Sequence, residues 1–147
     1  MGFSSKFSKL SNLSSRSKWL LLEGFFTSIK NEIFLKLGIY KPIKDLHFNV
    51  DEEQVEEEDT LLIIREISTI VRILEKHAPW KPLCYNRALT AKRMLLRRNV
   101  KTNMHIGFRK KNDEFDGHAW LTFNDKLVTG YVKGLNKFKV LKPTVNF

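Results

Sequence analysis

Residues 80–120 read WKPLCYNRALTAKRMLLRRNVKTNMHIGFRKKNDEFDGHAW, and within them the hydrophobic period changes once. Up to Arg98, Cys84, Ala88, Ala91 and Leu95 share one helical face, while Arg87, Lys92, Arg93, Arg97 and Arg98 mostly decorate the others, which predicts a helix over 83–98 beginning just after Pro82. After Asn99 the period falls to two. Met104, Ile106 and Phe108 alternate with polar or small residues, the turn KKNDE follows, and a second strand is expected over 115–123. Asn124 and Asp125 suit a two-residue hairpin turn, after which residues 126–132 return as a third strand. A helix feeding directly into an antiparallel meander predicts the α+β class.

Upstream, Leu62, Ile63, Ile67, Ile70, Val71 and Leu74 give a broad apolar face to a helix expected over 60–77, which Pro79 ends. The acidic run 51–59 is expected to be a solvated lead-in, since carboxylates favour the positive end of the helix that follows. Before it, Pro42 and the residues through Val50 read as a linker. Over 19–37, Trp19, Leu22, Phe26, Ile29, Ile33 and Leu37 recur at steps of three and four, so a helix burying that stripe in the core is expected, with Gly38 as its stop. Glu23, Lys30, Glu32 and Lys36 interrupt the apolar run well short of the ~20 residues a membrane span needs. Basic flanks leave peripheral membrane contact as the other reading of this helix. The serine-rich first 17 residues carry no expected fixed structure and no secretory signal. The organisation that results is an N-terminal arm and amphipathic helical region over 1–50, an acidic linker over 51–59 and a core over 60–147.

The chain of 147 residues suits one core and excludes a second catalytic domain. With 12% aromatic residues it should fold, and with a single Cys it cannot close an internal disulfide, so a reducing, cytoplasmic setting is expected. The net charge of +10 is uneven: +5 over 1–50, −7 over 51–59, +7 over 60–99 and +5 over 100–147. An anionic partner is implied, and a basic module for nucleic acid or an acidic protein, using Arg87, Lys92, Arg93, Arg97, Arg98 and the 109–111 run, is one competing reading. Such binding would weaken steeply with salt.

Cys84 falls in the first turn of its helix, where the positive helix end favours a thiolate over a thiol. A lone Cys is also commonly a small buried hydrophobe. Among His47, His77, His105 and His118, only His118 lies on an expected strand between two small residues, Gly117 and Ala119, which leave room around the ring. A Cys at a helix start with a His on a neighbouring strand is the arrangement of papain-like and transglutaminase-like acyl transfer. His105 competes for the base role, but bulky Met104 and Ile106 flank it and it should face away from their side of the strand. Trp80 either walls the cleft or packs in the core.

Trp80-x-x-x-Cys84, Arg87-Ala88 with Met94-Leu95, Ile106-Gly107, Gly117-His118-Ala119-Trp120 and Val128-Thr129-Gly130 together are similar in order and spacing to the leader peptidases of lasso-peptide biosynthesis, transglutaminase-like cysteine proteases, in their short split form. The resemblance spans roughly residues 15 to 141 and includes the amphipathic helix before the acidic linker. It implies N-terminal helices followed by a transglutaminase/papain-like core, a Cys-bearing helix packed on a small antiparallel sheet. It further implies that Cys84 attacks the scissile carbonyl of a precursor's leader peptide and His118 accepts and returns the proton. A small separate leader-recognition protein and an ATP-dependent macrolactam synthetase are the implied partners.

Relatives carry an Asp about twelve residues after the His, and here that position is Gly130. A turn at Asn124 and Asp125 is expected to set Thr129 opposite Trp120, so Thr129 or a backbone carbonyl is left to orient His118, while Asp125 at the turn tip is a turn residue too remote to do so. No phosphate loop and no metal-ligand cluster appears, and neither cofactor nor metal nor nucleic acid is implied. An acyltransferase using the same Cys and His, with an amine in place of water, is the second alternative.

Overall fold

The computed structural model describes residues 13–39 and 53–141. Helix α1 (Ser15–Lys36), helix α2 (Glu58–His77) and helix α3 (Cys84–Leu96) precede strands β1 (Asn103–Lys111), β2 (Glu114–Phe123) and β3 (Lys126–Thr129), a 3₁₀ turn (Leu135–Lys137) and a short β4 (Lys139–Val140). The sheet has the order β3-β2-β1-β4 with every neighbouring pair antiparallel. This is the expected α+β arrangement with one strand more, since β4 adds to the free edge of β1 opposite Gly107 and Phe108. The expected linker over 42–50 and most of the serine-rich N-terminal segment lie outside the described residues.

Both hairpins turn on an Asn-Asp or Asp-bearing pair with positive φ, Asn112 and Asp113 (51° and 65°) and Asn124 and Asp125 (44° and 60°). Such values belong to the turn type whose twist matches antiparallel strands, and Asn and Asp tolerate them better than bulkier residues. Ala119, Leu121 and Phe123 of β2 join Met104 and Val128 in one core with Ile67, Ile70, Val71 and Leu74 of α2 and Ala88, Leu89, Met94 and Leu95 of α3. Alternation along β2 sends His118, Trp120 and Thr122 to the opposite face. Leu62, expected in the apolar face of α2, is 46% exposed.

Helix α1 corrects the sequence expectation. It begins at Ser15, capped by the Ser14 hydroxyl, which accepts from the Ser17 amide at 3.2 Å, so order starts before the apolar stripe. The stripe itself points outward, while Leu20, Gly24, Thr27, Ser28 and Asn31 face in. The reason is the surface these residues meet. A Cβ on Gly24 would lie 2.8 Å from Cγ2 of Ile70, so only a glycine permits this approach of α1 to α2. Asn86 of α3 donates to the Ser28 carbonyl and to Glu32, and accepts from Ser28 Oγ; Asn31 donates to Thr90. Asn86, Ser28 and Thr90 thereby have partners in the seam, as does Asn31 Nδ2, while Asn31 Oδ1 is buried without one.

The acidic lead-in is likewise more than a solvated run. Gln54 exchanges two hydrogen bonds with Asn124 at the tip of the β2–β3 hairpin, and Glu56 pairs with Lys126 at 2.7 Å.

Lys92, expected on a decorated face, is 1% exposed and donates from Nζ to the Thr102 carbonyl at 2.6 Å. Burial lowers its pKa to about 8 from 10.5. Between those two values the unfolded chain holds a proton that the folded one has released, so the contribution of Lys92 to stability rises with pH there, and below about 8 the burial cost applies in full. A Lys92→Met variant is expected to be more stable at neutral pH by about 2 kcal/mol, the removed charge penalty outweighing the loss of the bond to the Thr102 carbonyl. Urea unfolding at neutral pH and near pH 10 checks this: the gap between variant and wild type should narrow at the higher pH.

Candidate active site

Cys84 is the first residue of α3, partly buried and packed against the core, with its thiol free. Leu83 before it supplies no side-chain cap and is 75% exposed. Two residues on, Asn86 is locked into the seam with α1 described above, which fixes the start of α3 in rotation and depth. The Trp80 indole donates to Ser28 Oγ at 3.0 Å and its ring meets Phe25 edge-on at 5.1 Å, so Trp80 is held against α1.

His118 is half-buried on β2, and its Nε2 lies 2.7 Å from the Gly130 carbonyl oxygen. A carbonyl can only accept, so Nε2 carries the proton and the neutral ring keeps its lone pair on Nδ1. The ring is further confined by Trp120, nearly parallel at 6.1 Å, and by Phe138 at 5.5 Å; Arg109 lies over the other ring of this cluster, 4.5 Å from the Phe138 centroid. His105 stacks on Trp120 at 5.4 Å and bonds Thr122 Oγ1 through Nε2 at 2.8 Å. Burial lowers its pKa below the ordinary histidine value, Lys92 adding to this and Asp125 opposing it. His105 is thus a neutral support for Trp120.

The register of β3 corrects an expectation. Phe123 pairs with Lys126 and Thr122 with Leu127, but a bulge follows, and Leu121 pairs with Thr129. Thr129 therefore sits one residue away from its expected place opposite Trp120, and β3 ends there instead of continuing to Val132. The bulge carries Gly130 to the position beside Trp120. At φ +95°, a Cβ on Gly130 would lie 2.6 Å from the Trp120 Cβ and 2.8 Å from the Ala119 carbonyl oxygen. Gly130 is thus a residue whose backbone, and not a side chain, meets the histidine. The sequence flags the position as a departure, but only the bulge reveals the carbonyl.

A cleft of about 800 Å³ opens beside this pair, lined by His118 and Thr129 from the sheet, by Gly130 and Tyr131 just after it, and by Arg72, Glu75 and Arg87 from the helices. Arg87, paired with Glu75, lies one turn beyond Cys84 on α3. Among the described residues no hydrogen bond joins Cys84 to His118, and Thr129 makes none to His118. Trp80 does not line this cleft. Among the described residues no group of three His, Cys, Asp or Glu side chains could hold a metal ion.

Residues 36–142 match the family model described as the transglutaminase-like superfamily. No curated protein and no solved structure matches the chain.

Proposed function

Because the chain belongs to the transglutaminase-like superfamily, a superfamily of cysteine-based peptidases and acyltransferases, we propose that it is a cysteine peptidase that removes the leader peptide from a ribosomally made lasso-peptide precursor. The observation that carries the reading is the 2.7 Å bond from His118 Nε2 to the Gly130 carbonyl, which holds a histidine with Nδ1 free to take a proton at the edge of a peptide-sized cleft. Cys84 transfers its thiol proton to Nδ1 of His118 as its sulfur bonds to the scissile carbonyl carbon. The tetrahedral oxyanion is received by uncapped N–H groups at the start of α3. His118 returns the proton to the departing nitrogen, so the core peptide leaves with a free amine and the leader stays as a thioester on Cys84. Water, giving its proton to Nδ1, then releases the leader as a carboxylic acid and restores the thiol. Cys84 is not among the residues lining the cleft that holds His118, so this mechanism requires the two to approach when substrate binds.

A small recognition protein that presents the leader, and an ATP-dependent macrolactam synthetase that consumes the new amine, are the partners of this reading. The test is the mass of the released leader when the chain is mixed with precursor and recognition protein. A leader gaining one water is expected. An amine adduct would reassign the chain to acyl transfer, and an intact precursor would overturn the proposal.

A further inference from the structure

Among the described residues, no other element covers the apolar stripe that helix α1 presents outward. Trp19 is 73% exposed, Phe26 65% and Leu37 67%, with Leu22 and Ile33 both at 48% between them. From Trp19 to Leu37 this stripe runs about 27 Å along one side of the helix. Contiguous apolar surface of this kind marks an interaction site. Its border is cationic: Lys18, Lys30 and Lys36 are exposed around it. The carboxylates of the helix are already engaged, Glu23 with Arg97 and Arg98 and Glu32 with Asn86 and Lys36. The outward side of α1 thus combines large apolar groups with ammonium groups and offers no unengaged carboxylate.

We propose that this face docks on an anionic lipid bilayer surface, α1 lying in the interfacial plane. No described helix is long and apolar enough to cross a membrane, so the helix would lie on the bilayer and not span it. Trp19 supplies the aromatic group that favours the headgroup level, Phe26, Leu22 and Ile33 enter the acyl boundary, and the lysine stems run along the apolar surface to keep their charges at the phosphates. A second copy of the chain fits less well, because two molecules of net charge +10 would bring their lysine borders together. The docking is independent of the peptidase chemistry.

Sedimentation with vesicles of phosphatidylcholine alone, and of phosphatidylcholine with about a third phosphatidylglycerol, tests it. At least roughly tenfold stronger binding to the anionic vesicles is expected, weakened by salt and accompanied by a blue shift of Trp19 emission that a Trp19→Phe variant loses. The double substitution Trp19→Glu and Phe26→Glu should remove binding at least tenfold with unchanged melting temperature and unchanged leader cleavage in solution, since both side chains are exposed. Equal binding to neutral vesicles, no binding to anionic ones, or binding retained by the double variant would overturn the proposal. So would light scattering that finds a wild-type dimer which the double variant dissociates, for then a second copy covers the stripe. Should the double variant fail to fold, the comparison of vesicles and the emission shift still decide.

Discussion

A Cys84→Ala variant is expected to lose leader cleavage by at least ~10³-fold, to the level of an unassisted control, while keeping its fold. The side chain is partly buried at the rim of the core and anchors no hydrogen bond among those described, so its removal leaves a small defect and not a broken network. His118→Ala is expected to cost a similar factor, and the double variant no more than either alone, because nucleophile and base act on the same proton. That non-additivity distinguishes a shared chemical step from two independent structural losses. His105→Ala supplies the contrast. Its ring backs Trp120 and bonds Thr122, so the variant should unfold more easily yet retain most of its turnover below its melting temperature. Single-turnover cleavage followed by mass spectrometry checks all four proteins. A His105 variant without activity beside an active His118 variant would move the base to β1.

Placing an aspartate at position 130 is expected to harm the proposed leader cleavage. In G130D the new Cβ would sit 2.6 Å from the Trp120 Cβ and 2.8 Å from its Cα, separations real side chains do not tolerate, and the +95° φ adds strain of its own. The end of β3 must then move away from β2 and take the Gly130 carbonyl from His118. We expect a stability loss of roughly 2–4 kcal/mol by thermal or urea unfolding and a fall in activity of at least ~10²-fold. The stability loss alone would mark only a structural glycine. Single-turnover cleavage below the variant's melting temperature separates the two roles, because a merely structural glycine leaves the folded protein's rate unchanged whereas loss of the carbonyl from His118 lowers it. Gly130→Ala, which carries the collision without the carboxylate, should behave alike. An aspartate variant more active than wild type would show that the carbonyl is a poor substitute and not the working partner.

Much of this architecture can be read from residues 80–123. The change from a helical to a two-residue period marks α3 and β1, and the Asn-Asp pairs mark both hairpin turns because few residues adopt positive φ there. Cys84 stands out as the single thiol at a helix start, and His118 by its small neighbours. The inward face of α1 is not legible in the same way. Its apolar stripe and its Gly24, Thr27, Ser28, Asn31 side both recur at helical spacing, and hydropathy selects the stripe. What decides is Asn86 and Thr90, polar groups 55 to 60 residues away that must be satisfied in the interior. Lys92 defeats the same rule, since a charged residue on a mostly basic helix face gives no sign that the Thr102 carbonyl waits beneath it. The bulge in β3 is hidden for a third reason: a two-residue turn predicts continuous pairing, and the one-residue slip that follows depends on packing about Trp120.

The seam between α1 and α3 has a mechanical meaning. Oily helices can slide past one another by a turn and trade one set of contacts for another of equal worth. Here Asn86 meets Ser28 and Glu32, and Thr90 meets Asn31, so a displaced α1 would break every one of these bonds and leave only the Thr90–Asn86 bond within α3. The joint is keyed, with one seating. The same bonds that fix the depth of α1 therefore fix the first turn of α3, two residues from Cys84.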